Sequence, residues 1–241
     1  MSPARPTTFA ATLDGLLARS PSDPVVTFYD EGTGERVELS VATYANWVAK
    51  TASLVQDELG LERGATVRID LPTHWLGPVW LGALWSLGIA VTDGSAATEA
   101  ELVVCGPDGL ERHAAGGAEV VACSLLPMGV RFRTPLPPGV VDFGEVVWSQ
   151  PDRLLVLDPA DPGDVAWTDG LGDIDQGALL AAPDLPHDRV ATTVAATRRE
   201  GLGRFVGPLL TGRGTVWVAG SPDADRLAAL ARTERAEVDA G

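Results

Sequence analysis

Lysine is almost absent from this sequence of 241 residues. Of the 18 basic residues only Lys50 is a lysine, and 33 acidic residues bring the net charge to −15. A chain of this charge repels the phosphates of nucleic acids and the surface of anionic membranes. We therefore expect neither nucleic acid nor a membrane as a partner.

Cysteine and histidine are scarce as well. Cys105 and Cys123 form no CxxC motif, and the three histidines show no HxxxH or HExxH spacing. These counts favour free thiols in a reducing compartment and give no support for a metal site. The N-terminus lacks an apolar signal-peptide region, and the apolar run 75–91 contains three glycines and a proline. We expect a soluble, cytoplasmic protein.

The sequence does contain alternating strand and helix signals. A β-hairpin is predicted with strands at 25–29 and 36–39, and Ser40 is a suitable N-cap for the helix that follows. Residues 76–87 are predicted to form a buried helix. Trp80 and Trp85 lie in this helix and Trp75 lies just before it, and we expect all three in the core. Further strands are predicted at 67–71, 89–92, 102–106, 118–124, 188–196 and 214–220. This alternation predicts an α/β fold with a doubly wound, mainly parallel sheet and flanking helices.

Other helical signals are shorter. We predict helices at 7–19 and 203–212, a helical turn in SAATEAE at 95–101, and a last helix with Ser221 as its N-cap.

Two proline-rich loops interrupt the chain, RTPLPPG at 133–139 and DPADPGD at 158–164. We predict a first α/β subdomain over 1–133 and a second α/β segment over 140–241, two parts that are also compatible with one compact domain. The second loop carries an acidic cluster that we expect to be solvated, formed by Asp158, Asp161 and Asp164.

Residues 39–104 resemble the opening of the adenylate-forming enzymes, which include acyl-CoA synthetases, luciferase-like enzymes and peptide-synthetase adenylation domains. The matching positions are Thr43, Tyr44, Gly60, Gly64, Val67, Pro72 and Gly88. The resemblance continues through residues 158–177 and 188–220. It implies the fold of about the N-terminal half of such an enzyme, in a short, degenerate relative of actinobacterial type.

The stretch WTDGLGDIDQG at 167–177 lies where the family carries its phosphate loop, T-S-G-T-T-G-x-P-K-G. In such loops glycines let backbone N–H groups approach the phosphates, and a lysine adds positive charge. The resemblance implies three candidate nucleotide-binding residues, Thr168, Gly170 and Gly177. However, Asp169 replaces the serine and Gln176 replaces the lysine. The loop has therefore lost its cation and gained negative charge.

Three interpretations of this stretch remain open, and an acidic surface turn between a strand and a helix agrees best with the sequence. The second is a nucleotide site for ATP or AMP in which Mg²⁺ bridges the aspartates to phosphate. The third is a calcium loop with Asp173, Asp175 and Asp184 at its first, third and twelfth positions, although Ala178 stands where an EF-hand has glycine. We expect no catalytic residue and no metal ligand.

Later motifs of the family are missing as well. Tyr29 and Tyr44 are the only tyrosines, so the sequence contains no Y-G-x-T-E motif, and Lys50 lies too early to act as the family's C-terminal catalytic lysine. These departures predict a non-catalytic relative of the AMP-dependent synthetases that acts as a binding or accessory protein. The alternative is half of a split ligase that activates a carboxylic acid with ATP together with a partner chain.

A protein partner or a homodimer is expected in either case, because a half-length sheet leaves an apolar edge. A purely structural interaction module would share this property. A small-molecule ligand is compatible with the binding role.

Overall fold

The computed structural model describes residues 7–239. Eight α-helices are present in this part of the chain: α1 Phe9–Arg19, α2 Val41–Ser53, α3 Leu76–Ser86, α4 Leu110–Ala114, α5 Phe143–Val146, α6 Gln176–Ala181, α7 Arg199–Thr211 and α8 Ala224–Glu234. The strands are β1 Pro24–Asp30, β2 Glu35–Ser40, β3 Thr66–Asp70, β4 Ala90–Thr92, β5 Leu102–Cys105, β6 Glu119–Ala122, β7 Val140–Asp142, β8 Val165–Thr168, β9 Ile174–Asp175, β10 Val190–Thr192, β11 Thr215–Ala219 and β12 Glu237–Val238.

Seven strands form one sheet in the order β7-β6-β5-β3-β4-β8-β9. All neighbours in it are parallel except β8 and β9, which form an antiparallel hairpin. The chain passes from β3 through α3 to β4, which lies on one side of β3. It then crosses to β5 on the other side of β3 and continues outward on that side to β6 and β7. The direction of winding therefore changes between β3 and β5.

The other five strands form a second sheet in the order β12-β10-β11-β1-β2. Its strands are parallel except for the hairpin of β1 and β2, and β1 pairs with β11 so that Val26 lies opposite Thr215. The predicted α/β fold with mainly parallel strands and flanking helices is confirmed. The strands form two sheets, and each sheet takes strands from both sides of residues 133–139. The division of the chain into a first α/β subdomain over 1–133 and a second α/β segment over 140–241 stays a prediction.

Helix α3 is buried along its whole length, because its side chains carry no charge and pack in one apolar cluster with residues of both sheets. The three tryptophans predicted in the core, Trp75, Trp80 and Trp85, are all fully buried. Helix α2 approaches α3 closely at Gly82, where a Cβ atom would lie 2.2 Å from the hydroxyl oxygen of Tyr44. That hydroxyl donates to the carbonyl of Pro78 at 2.8 Å, which fixes the two helices against each other.

Two local predictions were wrong. Residues 95–101 form bends and no helical turn, because SAATEAE has no large apolar side chain whose burial would stabilise one. The last helix begins at Ala224 with Asp223 as its N-cap, whose carboxylate accepts from the backbone N–H of Arg226 at 2.8 Å. Ser221 has φ of +55°, whereas an N-cap residue is extended.

The acidic cluster in the second proline loop is only partly solvated. Arg63 pairs with Asp164 at 2.8 Å and with Asp158 at 3.2 Å. Asp164 also accepts from the backbone N–H of Asp161. The loop is therefore tied to the segment that precedes β3.

Both cysteines are buried free thiols, as the sequence predicts. Cys105 and Cys123 belong to separate apolar clusters on the two faces of the seven-stranded sheet. Among residues 7–239, no helix combines the length and the apolar character that crossing a membrane requires.

Candidate functional site

The carboxyl ends of the parallel strands meet at one edge of the seven-stranded sheet, the place where α/β proteins usually bind ligands. The turn between β8 and β9, residues 169–173, lies at this edge. The turn between β10 and α7 in the second sheet contacts the same edge. Thr73 donates to the carbonyl of Thr193 at 2.7 Å, and Arg199 donates to Asp169 at 2.7 Å.

The carboxylate of Asp169 is the centre of this turn. It accepts three hydrogen bonds, from the indole N–H of Trp167 at 2.7 Å, from the backbone N–H of Leu171 at 2.8 Å and from the guanidinium of Arg199 at 2.7 Å. Arg199 also donates to the carbonyl of Gly172 at 3.2 Å. The side chain of Asp169 is only 5% exposed, so this residue does not fit the predicted acidic surface turn.

The partners of Asp169 keep it ionised. Burial alone would raise the pKa of this carboxyl, but the hydrogen bonds from Arg199, Trp167 and Leu171 outweigh burial and lower its pKa to about 2. The turn therefore contains a permanent internal anion at neutral pH. We call the set Trp167, Asp169, Leu171 and Arg199 the carboxylate latch.

Two of the three predicted nucleotide-binding residues, Thr168 and Gly170, adjoin the carboxylate latch in the chain, whereas Gly177 lies beside the start of β8, at the opposite end of that strand. Thr168 ends β8 and is buried. The backbone N–H of Gly170 donates to the hydroxyl of Ser95 at 3.2 Å. Gly177 lies in the first turn of α6, where its N–H donates to the carbonyl of Pro162 at 2.8 Å. Each residue has a structural role, and nucleotide binding by them stays a prediction.

Gln176, which the resemblance places at the position of the family's loop lysine, points into the core and is 1% exposed. Its side-chain oxygen accepts from the backbone N–H of Phe9 at 3.0 Å, and its amide nitrogen donates to the carbonyl of Trp85 at 2.8 Å. It thus joins the start of α1 to the end of α3. A side chain held in this way cannot reach a ligand at the β8–β9 turn.

The phosphates of ATP do not fit these residues. A phosphate loop needs free backbone N–H groups, whereas those of Gly170, Leu171 and Gly172 donate to Ser95, to the Asp169 side chain and to the Asp169 carbonyl. The anion beside them is the protein's own carboxylate. We therefore derive no chemistry through ATP at this turn.

The calcium interpretation gains no support from the geometry. Asp175 is the N-cap of α6 and accepts from the backbone N–H of Ala178 at 2.6 Å. Within residues 7–239, no three His, Cys, Asp or Glu side chains come together in a way that could hold a metal ion.

Two residues distant in the chain, Arg199 and Ser95, form hydrogen bonds with the turn through their side chains and were not identified from the sequence. Arg199 is the second arginine of a pair at the start of a helix, and its chain separation from Asp169 is 30 residues. The arginine pair is visible in the sequence, but nothing local connects it to the aspartate.

No family model matches the chain. A protein of Mycobacterium tuberculosis, whose name gives a family and no activity, is 40% identical over 158 residues, which cover 62% of this chain and 63% of that protein. The chain thus spans less than two thirds of this relative.

Several solved structures share the fold. An acyl-CoA synthetase of Brucella canis matches with a TM-score of 0.79 at 17% identity, over 97% of this chain and 47% of that one. Acetoacetyl-CoA synthetase from Streptomyces lividans matches with a TM-score of 0.71 at 20% identity, over 92% of this chain and 40% of that one. The N-terminal domain of FACL13 from Mycobacterium tuberculosis matches with a TM-score of 0.70 at 13% identity, over 95% of this chain and 61% of that one. The chain has the fold of the N-terminal part of acyl-CoA synthetases, and the resemblance drawn from the sequence is confirmed at the level of the fold.

Proposed function

We propose that this protein is a non-catalytic relative of the acyl-CoA synthetases, a pseudoenzyme that acts as a binding or accessory protein. The carboxylate latch is the observation that carries this proposal. Asp169 holds the N–H of Leu171 and the guanidinium of Arg199, which are groups of the kind that would otherwise bind a phosphate.

The electrostatics of the turn supports the proposal. Two like charges 4 Å apart repel by about 4 kcal/mol at an effective dielectric constant of 20. At about 1.4 kcal/mol for each factor of ten, one such contact lowers affinity roughly a thousandfold. Arg199 does not compensate, because Asp169 already neutralises it.

Calorimetric titration with ATP, with and without Mg²⁺, tests the proposal. We expect no binding by the unmodified protein up to millimolar ATP. Asp169→Ser restores the family's serine and releases Arg199 and the Leu171 N–H, so we expect weak binding of ATP or pyrophosphate by this variant. Asp173→Ser is the matched control, because it removes an equal charge from an exposed position of the same turn and leaves the latch intact.

Micromolar, Mg²⁺-dependent binding by the unmodified protein would overturn the proposal. An ATP–pyrophosphate exchange signal with any carboxylic acid would do so as well. If Asp173→Ser gained as much affinity as Asp169→Ser, general charge rather than the latch would explain the exclusion of ATP.

The second candidate is half of a split adenylate-forming ligase. One observation favours it. The segment 151–157 exposes 74% of Leu155 and 86% of Leu157, and a partner chain would cover these two side chains.

Co-purification from the source cells tests this candidate. The split-ligase candidate requires that a partner carrying the missing lysine and the Y-G-x-T-E segment is recovered. It also requires that the reconstituted pair shows ATP–pyrophosphate exchange. Light scattering of the pure protein tests the simpler homodimer, which a monomer at high concentration would exclude.

A further inference from the structure

A cavity lies at the same sheet edge, between the ends of β3 and β5. The direction of winding changes between these two strands, and α/β sheets bind ligands in the crevice beyond the carboxyl ends at such a point. The crevice here is a cavity of about 250 Å³. Its walls come from Asp70 and Pro72 after β3, from Gly106 and Asp108 after β5, and from Arg112 and Arg198.

Two of the charges around this cavity neutralise each other. Arg112 pairs with the Oδ2 atom of Asp70, and the Nε2 atom of His113 lies 2.7 Å from the same oxygen. Burial alone would raise the pKa of Asp70, but His113 and Arg112 outweigh burial and lower it. Asp70 is therefore ionised and already paired.

The other two charges are open. Arg198 precedes α7 and Asp108 follows β5, and both residues are exposed. In the described part of the chain, neither side chain makes a hydrogen bond or an ion pair. One free cation and one free anion thus line one cavity, beside the apolar side chains of Leu71 and Leu125.

We propose that this cavity binds a small zwitterion, with the ligand's carboxylate on Arg198 and its ammonium group on Asp108. A planar guanidinium binds a carboxylate through two parallel hydrogen bonds, and a carboxylate accepts from an ammonium group. A volume of about 250 Å³ lies below the range of drug-sized pockets, so the ligand is small. The apolar walls leave room for a short side chain.

Nuclear magnetic resonance titration with three matched probes tests the proposal, with the backbone amide signals of Gly106 and Gly109 as reporters inside the cavity. Alanine carries both charges, propionate lacks the ammonium group, and ethylamine lacks the carboxylate. We expect saturable shifts with alanine at millimolar concentration and at least tenfold weaker binding of the other two, because each leaves one site charge without a partner.

Variants locate the binding. Arg198→Ala and Asp108→Asn should each weaken alanine binding at least tenfold, and both change exposed side chains, so both should fold. Arg232→Ala, an exposed arginine on α8, should bind alanine like the unmodified protein.

Three results would overturn the proposal. The first is the absence of a saturable shift with alanine up to about 100 mM, a concentration far above the expected Kd. The second is an affinity for propionate equal to that for alanine. The third is an unchanged affinity for alanine in Arg198→Ala. The ATP titration of the carboxylate latch reports on Asp169, so it can fail without changing any of these results.

Discussion

The β8–β9 turn and the β5–α4 turn lie at the same edge of one sheet, yet they hold their charges in opposite ways. In the first turn, three donors at 2.7 to 2.8 Å surround the carboxylate of Asp169. In the second, Asp108 has no partner within residues 7–239. The turn that the resemblance assigns to phosphate thus has its donors occupied by the protein's own carboxylate, whereas the turn after β5, which no sequence motif marked, keeps a charge without a partner.

Two consecutive arginines make the same contrast at one point of the chain. Arg199 donates to Asp169 and to the carbonyl of Gly172. Arg198, one residue earlier, lines the open cavity. Since the two residues have the same chemistry, the difference between them shows that partners rather than residue type decide which charge is available to a ligand.

The largest expected effect comes from placing a lysine at position 176, where the resemblance puts the family's loop lysine but where the structure has a buried side chain away from the β8–β9 turn. Gln176→Lys removes the acceptor for the Phe9 N–H and places an ammonium group in the core, which costs about 3 kcal/mol or more in the free energy of unfolding. Urea unfolding measures this loss. Gln56→Lys, at a half-buried position, is the control and should change stability by under about 1 kcal/mol.

A stable Gln176→Lys protein that also binds ATP would contradict this expectation. It would mean that the side chain at position 176 can leave the core and reach a ligand.

The arginine pair gives the next largest effect. Arg199→Ala leaves the buried carboxylate of Asp169 without its cation, so we expect a loss of about 2 kcal/mol. Arg198→Ala removes no contact and should stay within about 0.5 kcal/mol of the unmodified protein. Chemical denaturation of both variants under one set of conditions measures the difference. Equal losses of unfolding free energy in the two variants would contradict the view that Arg199 is paired and Arg198 is not.

The smallest effect is a dependence of stability on pH. The pKa of Asp169 lies at about 2 in the folded protein and near 3.9 in an unfolded chain. Its contribution to stability is therefore present above about pH 4 and is lost as the pH falls from about 4 toward 2.

Comparison with Asp169→Asn isolates this contribution, because the variant cannot titrate at this position. The stability difference between the two proteins should shrink by about 1 kcal/mol over that window, once solvent screening is allowed for. Asp173→Asn, which alters an exposed aspartate of the same turn, should follow the unmodified protein. Parallel pH profiles for the Asp169 variant and the unmodified protein would mean that the latch does not hold the charge.

Much of the fold could be predicted because its signals lie within a few residues of one another. Ser40 accepts from the backbone N–H of Thr43 at 3.2 Å, and the uncharged run of α3 requires burial wherever the chain places it. Prediction failed where two local signals compete, as at Ser221 and Asp223, which both precede the last helix. The membership of the strands in two sheets depends on distant pairings and has no local signal.

The site was less predictable than the fold. The sequence shows that Asp169 brings negative charge to the loop and that Gln176 replaces a lysine. It does not show that Arg199 reaches Asp169, or that Gln176 is buried between Phe9 and Trp85. Both facts depend on how the two sheets are brought together.

The pairing of Val26 with Thr215 also sets an order of events during synthesis. Every strand of the seven-stranded sheet has been made once residue 175 is added, whereas β1 has only β2 beside it until β11 is made. The first strand of the chain is therefore among the last to gain its full set of neighbours. Until then the nascent chain carries an open strand edge, the kind of surface on which partly made proteins associate wrongly.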